Sequence, residues 1–313
     1  MVEFTNKEKK MRKINYNQVY VRGEVLDIFN IRRIGEGQSW EKLCYELKIQ
    51  TGEDESVTVE AFENVFGWDG EESNKYKGLL TICNEVQTRA ENGKGDMVNC
   101  NCTAVNNSYY SNGELIEKPI LLLNYVNRQK DGEKIEPGTF WSIYGMIEEE
   151  NESEGKLELK CLTNEYMSKN ATKGTYLNFE IEGEDVEALK EMVRVGDVVN
   201  FEGEIKTVIE TIFLPEEETA ELEVKGLGTK REKLIKENER RRKLREEGVK
   251  KSSVKFVITG ADDPLNEEDL AETPFEEDRL RDMLERLEKD LVKKKEKDDK
   301  KNGKTGIEDD VPF

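Results

Sequence analysis

In Val19-Tyr20-Val21-Arg22-Gly23-Glu24-Val25 an apolar side chain stands at nearly every second position. That is the period of a strand with one buried face. Leu43-Cys44-Tyr45-Glu46-Leu47-Lys48-Ile49 and Val57-Thr58-Val59-Glu60-Ala61-Phe62 repeat it. A less regular stretch, roughly 64–90, has room for a helix. The turn Gly95-Asp96 then feeds a fourth strand, Met97 to Cys102, and Ser111-Asn112-Gly113 forms a hairpin tip. A last apolar strand runs from Ile120 to Val126. Three strands, an irregular or helical insert and two more strands follow the order of an OB-fold barrel.

The same grammar returns downstream. Trp141-Ser142-Ile143-Tyr144-Gly145-Met146-Ile147 carries a mid-strand glycine placed like Gly23, where a strand can bend around a small barrel. Leu157 to Thr163 and Tyr176 to Ile181 follow, then a helix from Asp185 to Val193. Gly196-Asp197-Val198-Val199-Asn200-Phe201 echoes Gly95-Asp96-Met97-Val98-Asn99-Cys100. The expected fold is mainly β with a helical C-terminal region: two tandem OB-fold-like barrels, charged helices and a disordered acidic tail. Two unrelated small all-β domains, or one larger sandwich, also satisfy the pattern. The expected divisions are a basic arm over 1–14, a first barrel over 15–130 and a second over 137–226. A charged helical region over 227–292 and a disordered tail over 293–313 complete them.

Composition removes several function classes. The chain of 313 residues contains no histidine, so histidine-based catalysis and histidine metal sites are excluded. No pair of carboxylates is singled out by spacing, and no phosphate-cradling glycine loop is present. The expectation is a protein that is not an enzyme and carries no metal and no cofactor. Cys100 and Cys102 share a strand face with Val98 and Ala104, which reads as buried thiols. Five cysteines, no apolar leader and no membrane-length apolar run point to a reduced, cytoplasmic setting without membrane attachment.

A net charge of −20 excludes a uniformly basic nucleic-acid coat, yet a local basic groove is compatible with it. In the first block, alternation turns Tyr20, Arg22, Lys42, Lys48 and Phe62 outward, with Glu24, Cys44, Glu46, Thr58, Glu60, Asn99, Asn101 and Thr103. Arg32, Arg33 and Trp40 fall in the first hairpin loop, Phe66 and Trp68 after the third strand, and Tyr109 and Tyr110 near the other hairpin tip. Rings for stacking beside cations for phosphate are what a single strand needs. Packing at the barrel ends is the competing reading for several of these rings.

Residues 138–226 carry most of the negative charge, and their outward positions include Glu158, Glu180, Glu182, Glu202 and Glu204. Such a row repels phosphate, so the second barrel is read as a dimerisation, docking or spacer module. Beyond it, 229–247 is strongly helical and holds the cluster Arg240, Arg241, Arg242, Lys243 and Arg245. The cluster suits nucleic-acid backbone, an acidic part of the chain, or plain solvent. Val254 to Thr259 reads as one isolated strand. Thr273-Pro274-Phe275-Glu276 reads as a helix start, with Leu280, Leu284, Leu287 and Leu291 as a short apolar seam for another chain or for a barrel.

The chain ends Ile307-Glu308-Asp309-Asp310-Val311-Pro312-Phe313. This ending resembles the acidic C-terminal tip of bacterial-type and phage single-stranded-DNA-binding proteins. The resemblance implies a docking peptide for replication, recombination and repair proteins. Phe313 would enter a partner pocket, Asp309 and Asp310 would face basic partner residues, and Val311 and Pro312 would shape the peptide between them. The usual bacterial form has one OB domain and a Gly-, Gln- or Pro-rich linker, whereas this chain has two β blocks and a Lys/Glu-rich linker. A phage or mobile-element version is the expectation, with homo-oligomerisation left open.

Together these readings give a sequence-tolerant single-stranded-DNA-binding protein that protects exposed strands and recruits partners through its tip. Two alternatives stand beside it. One is an acidic protein-binding adaptor or inhibitor; the other is an RNA-binding OB-fold protein, because stacking alone does not separate RNA from DNA.

Overall fold

A computed structural model describes residues 16–67, 69–111, 113–130, 134–153, 155–167, 172–212, 229–247, 249–271 and 273–305. The basic arm over 1–14, Trp68 and the 307–313 tip lie outside the described residues.

The molecule is mainly β with a long C-terminal helix. Its strands are β1 (Asn17–Ile34), β2 (Lys42–Gln50), β3 (Ser56–Asn64), β4 (Met97–Ser111) and β5 (Glu114–Arg128), then β6 (Gly138–Ser153), β7 (Lys156–Met167), β8 (Thr172–Glu182), β9 (Val198–Ile212) and β10 (Val249–Ala261). Helices α1 (Asn74–Glu85) and α2 (Arg89–Asn92) separate β3 from β4, and α3 (Asp185–Met192) separates β8 from β9. Helix α4 (Thr229–Glu247) lies between β9 and β10, and α5 (Glu267–Leu270) and α6 (Glu277–Thr305) end the described chain.

All ten strands belong to one hydrogen-bonded sheet, ordered β2-β3-β5-β4-β1-β6-β7-β8-β10-β9, with additional pairings β2–β1 and β6–β9. The ladder therefore turns back on itself twice. In the first ring β1 pairs β2 and β4 antiparallel, and β3 meets β5 in parallel at Glu60↔Leu122. In the second ring β6 pairs β7 and β9 antiparallel, and β8 meets β10 in parallel at Phe256↔Phe179.

Gly23 shows why the bend in β1 is specified. The strand leaves β4 at Glu24 and runs along β2 from Glu24 onward. Here a Cβ would stand 1.8 Å from the Gln50 carbonyl oxygen, and φ is 157°. No side chain fits at that approach.

The alternating apolar residues are buried along both rings of the ladder. Val19, Val21, Tyr45, Leu47, Ile49, Val59, Val98, Cys100, Cys102 and Leu121 are buried in the first. Helix α1 adds Tyr76, Leu79 and Ile82, and the Tyr45 hydroxyl donates to the Leu79 carbonyl at 3.1 Å. In the second, Trp141 stacks on Phe179 with centroids 4.9 Å apart, and Phe256 of β10 meets the Trp141 ring edge-on at 5.7 Å. Each fully buried side chain of this size contributes about 1.5–3 kcal/mol through burial.

Three sequence expectations change. The isolated strand at Val254 to Thr259 is part of β10, which the sheet order places between β8 and β9. The tail over 293–305 is not disordered, because α6 runs through to Thr305. The turn at Thr273 does not begin the helix: Thr273 Oγ1 accepts from the Phe275 amide at 3.1 Å, Phe275 is buried, and α6 starts at Glu277.

The chain divides into two compact units, one comprising Met1–Lys206 with Lys255–Phe313, the other Thr207–Val254. The larger unit holds part of β10 and the last helices as well as the strands up to Lys206. The smaller unit carries α4, in which Arg241 pairs with Glu237 at 3.4 Å, one helical turn away.

In the larger unit α6 covers an outer face of the second ring. Leu162, Val198, Phe275 and Met283 are buried together there, with Tyr144, Met146, Tyr176, Leu280, Leu284 and Leu287 packed around them. The leucine seam thus meets the sheet. Leu291 lines a shallow groove with Leu287 and Tyr176 at the edge of this contact.

Candidate nucleic-acid interface

The strongest concentration of expected site residues lies on the outer face of β2 and β3. Register pairs Lys42 with Asn64, Cys44 with Phe62, Glu46 with Glu60 and Lys48 with Thr58. Phe62 is 49% exposed, and Lys42 Nζ stands 4.3 Å from the centroid of its ring. An exposed ring held on a central strand with a cation over it is a platform for a planar group. Arg32 of β1 is opposite Cys44, so the thiol lies in register between a guanidinium group and the Phe62 ring. That cover accounts for a difference from the alternation: Cys44 is buried although its position faces outward, and burial pushes its thiol up.

Acid also occupies this face. Glu60 ionises less readily than an ordinary carboxylate, mainly because it is partly buried; Glu46 adds to the effect, and Lys118 at 3.9 Å and Arg32 oppose it. Glu46 accepts a hydrogen bond from Asn30 Nδ2 at 2.6 Å.

The remaining expected residues divide. Trp40 is 55% exposed in the turn between β1 and β2. Its ring lies over Gly35, where an added Cβ would come within 2.3 Å of it. Arg33 is engaged within the fold: it donates to buried Glu41 at 3.1 Å and to the Tyr76 hydroxyl at 2.9 Å. Phe66 is half-buried and forms a bridge with Glu72. Tyr109 and Tyr110 sit on the β4–β5 hairpin opposite Ile116 and Leu115. The Gly113 amide at the tip of that hairpin donates to Asp298 of α6 at 2.9 Å. Tyr20 and Arg22 stand on the part of β1 that pairs β4 and β6, with the Arg22 guanidinium 5.7 Å from the Tyr20 centroid.

Alternation also missed some neighbours. Tyr125 and Phe140 are exposed rings on β5 and β6. Tyr125 was hidden because a register irregularity at Asn101/Cys102 breaks the period in its apolar run. Phe140 could have been found: it precedes inward Trp141 and so faces outward.

The carboxylate row expected on the second ring is partly neutralised. Glu180 is buried, with Lys156 Nζ at 2.6 Å and Lys255 Nζ at 3.2 Å. Lys156 also reaches Glu182 at 4.0 Å, and Glu158 accepts from Asn178 at 3.1 Å. Among the described residues no group of three or more Cys, Asp or Glu side chains is placed to hold a metal ion. No described helix is long and apolar enough to cross a membrane.

Several solved structures are similar in outline. A deletion mutant of the single-stranded DNA binding protein from Thermus aquaticus matches with a TM-score of 0.42 and 11% identity, covering 80% of this chain and 95% of that one. The wild-type form of that protein gives a TM-score of 0.44 at 10% identity, covering 80% and 93%. Fission yeast Pot1 with single-stranded DNA gives 0.24 at 10% identity, covering 86% and 90%. No curated protein matches the chain. The family model described as YorF matches residues 15–303, and the chain belongs to that family.

Proposed function

We propose that this protein binds single-stranded DNA without catalysing a reaction, in a sequence-tolerant way, through two OB-type barrels. The ring order β1-β2-β3-β5-β4 and its repeat in β6-β7-β8-β10-β9 support that fold, as does a helix between the third and fourth strand of each ring. The observation that carries the function is the exposed Phe62 ring with Lys42 over it, on the β2–β3 face that OB folds present to oligonucleotides. Arg32, Lys48 and Lys118 supply positive charge on the strands around it. In this reading the protein protects exposed strands, and Phe313 with Asp309 and Asp310 recruits replication, recombination or repair proteins. The recruiting role rests on the sequence resemblance of the tip.

A fluorescence titration with oligo-dT at several salt concentrations tests the reading. Trp40 is exposed and can report ligand, whereas Trp141 is fully buried and supplies a constant background. Saturable quenching that weakens with salt is expected, with a slope set by the phosphates neutralised. Phe62→Ala is expected to cost about 1–3 kcal/mol of affinity, the range for loss of one stacking platform. Absence of quenching at low salt would remove the reading. Competition by oligo-U stronger than by oligo-dT would redirect it to RNA.

A further inference from the structure

The junction between the two rings carries a second row of rings. Register places Tyr125 of β5 opposite Asn101 of β4, Asn101 opposite Tyr20 of β1, and Tyr20 opposite Phe140 of β6. Paired residues on adjacent strands project to the same side of a sheet. Tyr125, Asn101, Tyr20 and Phe140 therefore form one transverse line over four strands, about 14 Å long at the usual strand spacing. It begins in the first ring and ends in the second. Tyr125 is 51% exposed and Phe140 is 39% exposed.

The next line is Asn127, Asn99, Arg22 and Gly138. Neither line contains a carboxylate, in a chain whose net charge is −20. The nearest acid along β1, Glu24, is held by the Arg89 guanidinium and accepts from the Gly95 amide at 2.6 Å, which keeps it ionised and occupied.

Two amides on this face are incompletely bonded. Asn101 is 3% exposed; its Oδ1 accepts from Asn124 Nδ2 at 3.2 Å, but its Nδ2 has no partner among the described residues. Asn99 Oδ1 is likewise buried and without one. Buried polar atoms are rarely left so, because each costs about 1–3 kcal/mol. One is a donor and the other an acceptor, two residues apart on one strand face, with Asn101 between Tyr125 and Tyr20 and Asn99 between Asn127 and Arg22. Base edges offer both complementary groups, and base faces suit the rings.

We infer that single-stranded nucleic acid crosses from the first ring to the second on this line. Bases stack on Tyr125, Tyr20 and Phe140, the Asn99 and Asn101 amides bond base edges, and Arg22 meets phosphate. The inference rests on the single-strand reading above and adds a path distinct from the Phe62 face. It also makes the second ring part of the binding surface rather than a spacer.

The test compares the full-length protein with the Tyr125→Ala/Phe140→Ala double variant. Both sites are exposed, and thermal melts followed by circular dichroism verify folding. Fluorescein-labelled oligo-dT is titrated by anisotropy, and the unaltered protein is photo-crosslinked to an iodouracil-substituted strand. Loss of two stacking partners is expected to weaken binding by about tenfold or more, and crosslinks are expected on Tyr20, Tyr125 or Phe140. If the wild type binds oligo-dT while the variant binds equally well and crosslinks avoid these residues, the path is wrong and the single-strand reading stands. If the wild type itself does not bind, both fail.

Discussion

Glu60 shows how one residue can oppose the face it sits on. Its carboxyl is harder to ionise than in the unfolded chain, chiefly through burial, with Glu46 contributing. A raised folded-state pKa means that the native state holds the proton more tightly. The contribution of Glu60 to stability is therefore greatest below the ordinary carboxylate range and falls as pH rises through the raised value. Glu60→Gln removes that loss. Urea melts from pH 4 to 7 are expected to show the variant gaining on wild type as pH rises. The same change takes a negative charge from beside Lys118 and from the face of Phe62, so oligo-dT affinity is expected to increase. A variant that loses stability relative to wild type at neutral pH would show that the Lys118 pair outweighs the burial cost. Much at this scale was legible in sequence: period two alone turned Phe62, Lys42 and Lys48 outward. The commitment of Arg33 to Glu41 and Tyr76 was not, because it depends on where α1 comes to rest.

At the scale of elements, α6 is the clearest case of a pattern whose partner was illegible. Leu280, Leu284 and Leu287 announce an apolar stripe by spacing, but spacing is the same whether the stripe meets a second chain or the sheet. Gly174 decides it in the structure. A Cβ there would come within 2.3 Å of Met283 Sδ, so the glycine leaves a notch on β8 that the fully buried Met283 fills. Met283→Ala is expected to cost about 2–5 kcal/mol, the usual penalty for emptying such a site. Gly174→Ala is expected to expel Met283 and loosen α6 without touching the helix sequence. Limited proteolysis should then cut within 277–305 faster in both variants than in wild type. Equal cleavage rates in all three would mean that α6 docks through its leucines alone.

For the whole molecule, the decisive feature is a strand that sequence order conceals. Period two marks the first four strands of the second ring but stops at the basic helix and leaves Val254 to Thr259 without a neighbour. No local pattern can tell that a strand after so long an interruption returns to a sheet, because the pairing partner is specified by packing. Here Phe256 supplies that packing against Trp141 and Phe179, and the Val257 carbonyl lies where a Cβ on Gly203 would be only 1.9 Å away. The second ring therefore depends on residues beyond 248. A chain ending at 226 lacks β10, bares the edge of β8 and uncovers the Trp141–Phe179 stack. It is expected to aggregate or to show a red-shifted Trp141 emission, because an unpaired edge and an open core both favour association. A chain in which residues 213–248 are replaced by a short Gly/Ser loop keeps β10 and is expected to melt with the emission of wild type. Loop closure costs little at either length, so the contrast tests β10 together with the helices that follow it. Equal folding of the two chains would mean that β10 is dispensable and that the ring of β6 to β9 stands without it.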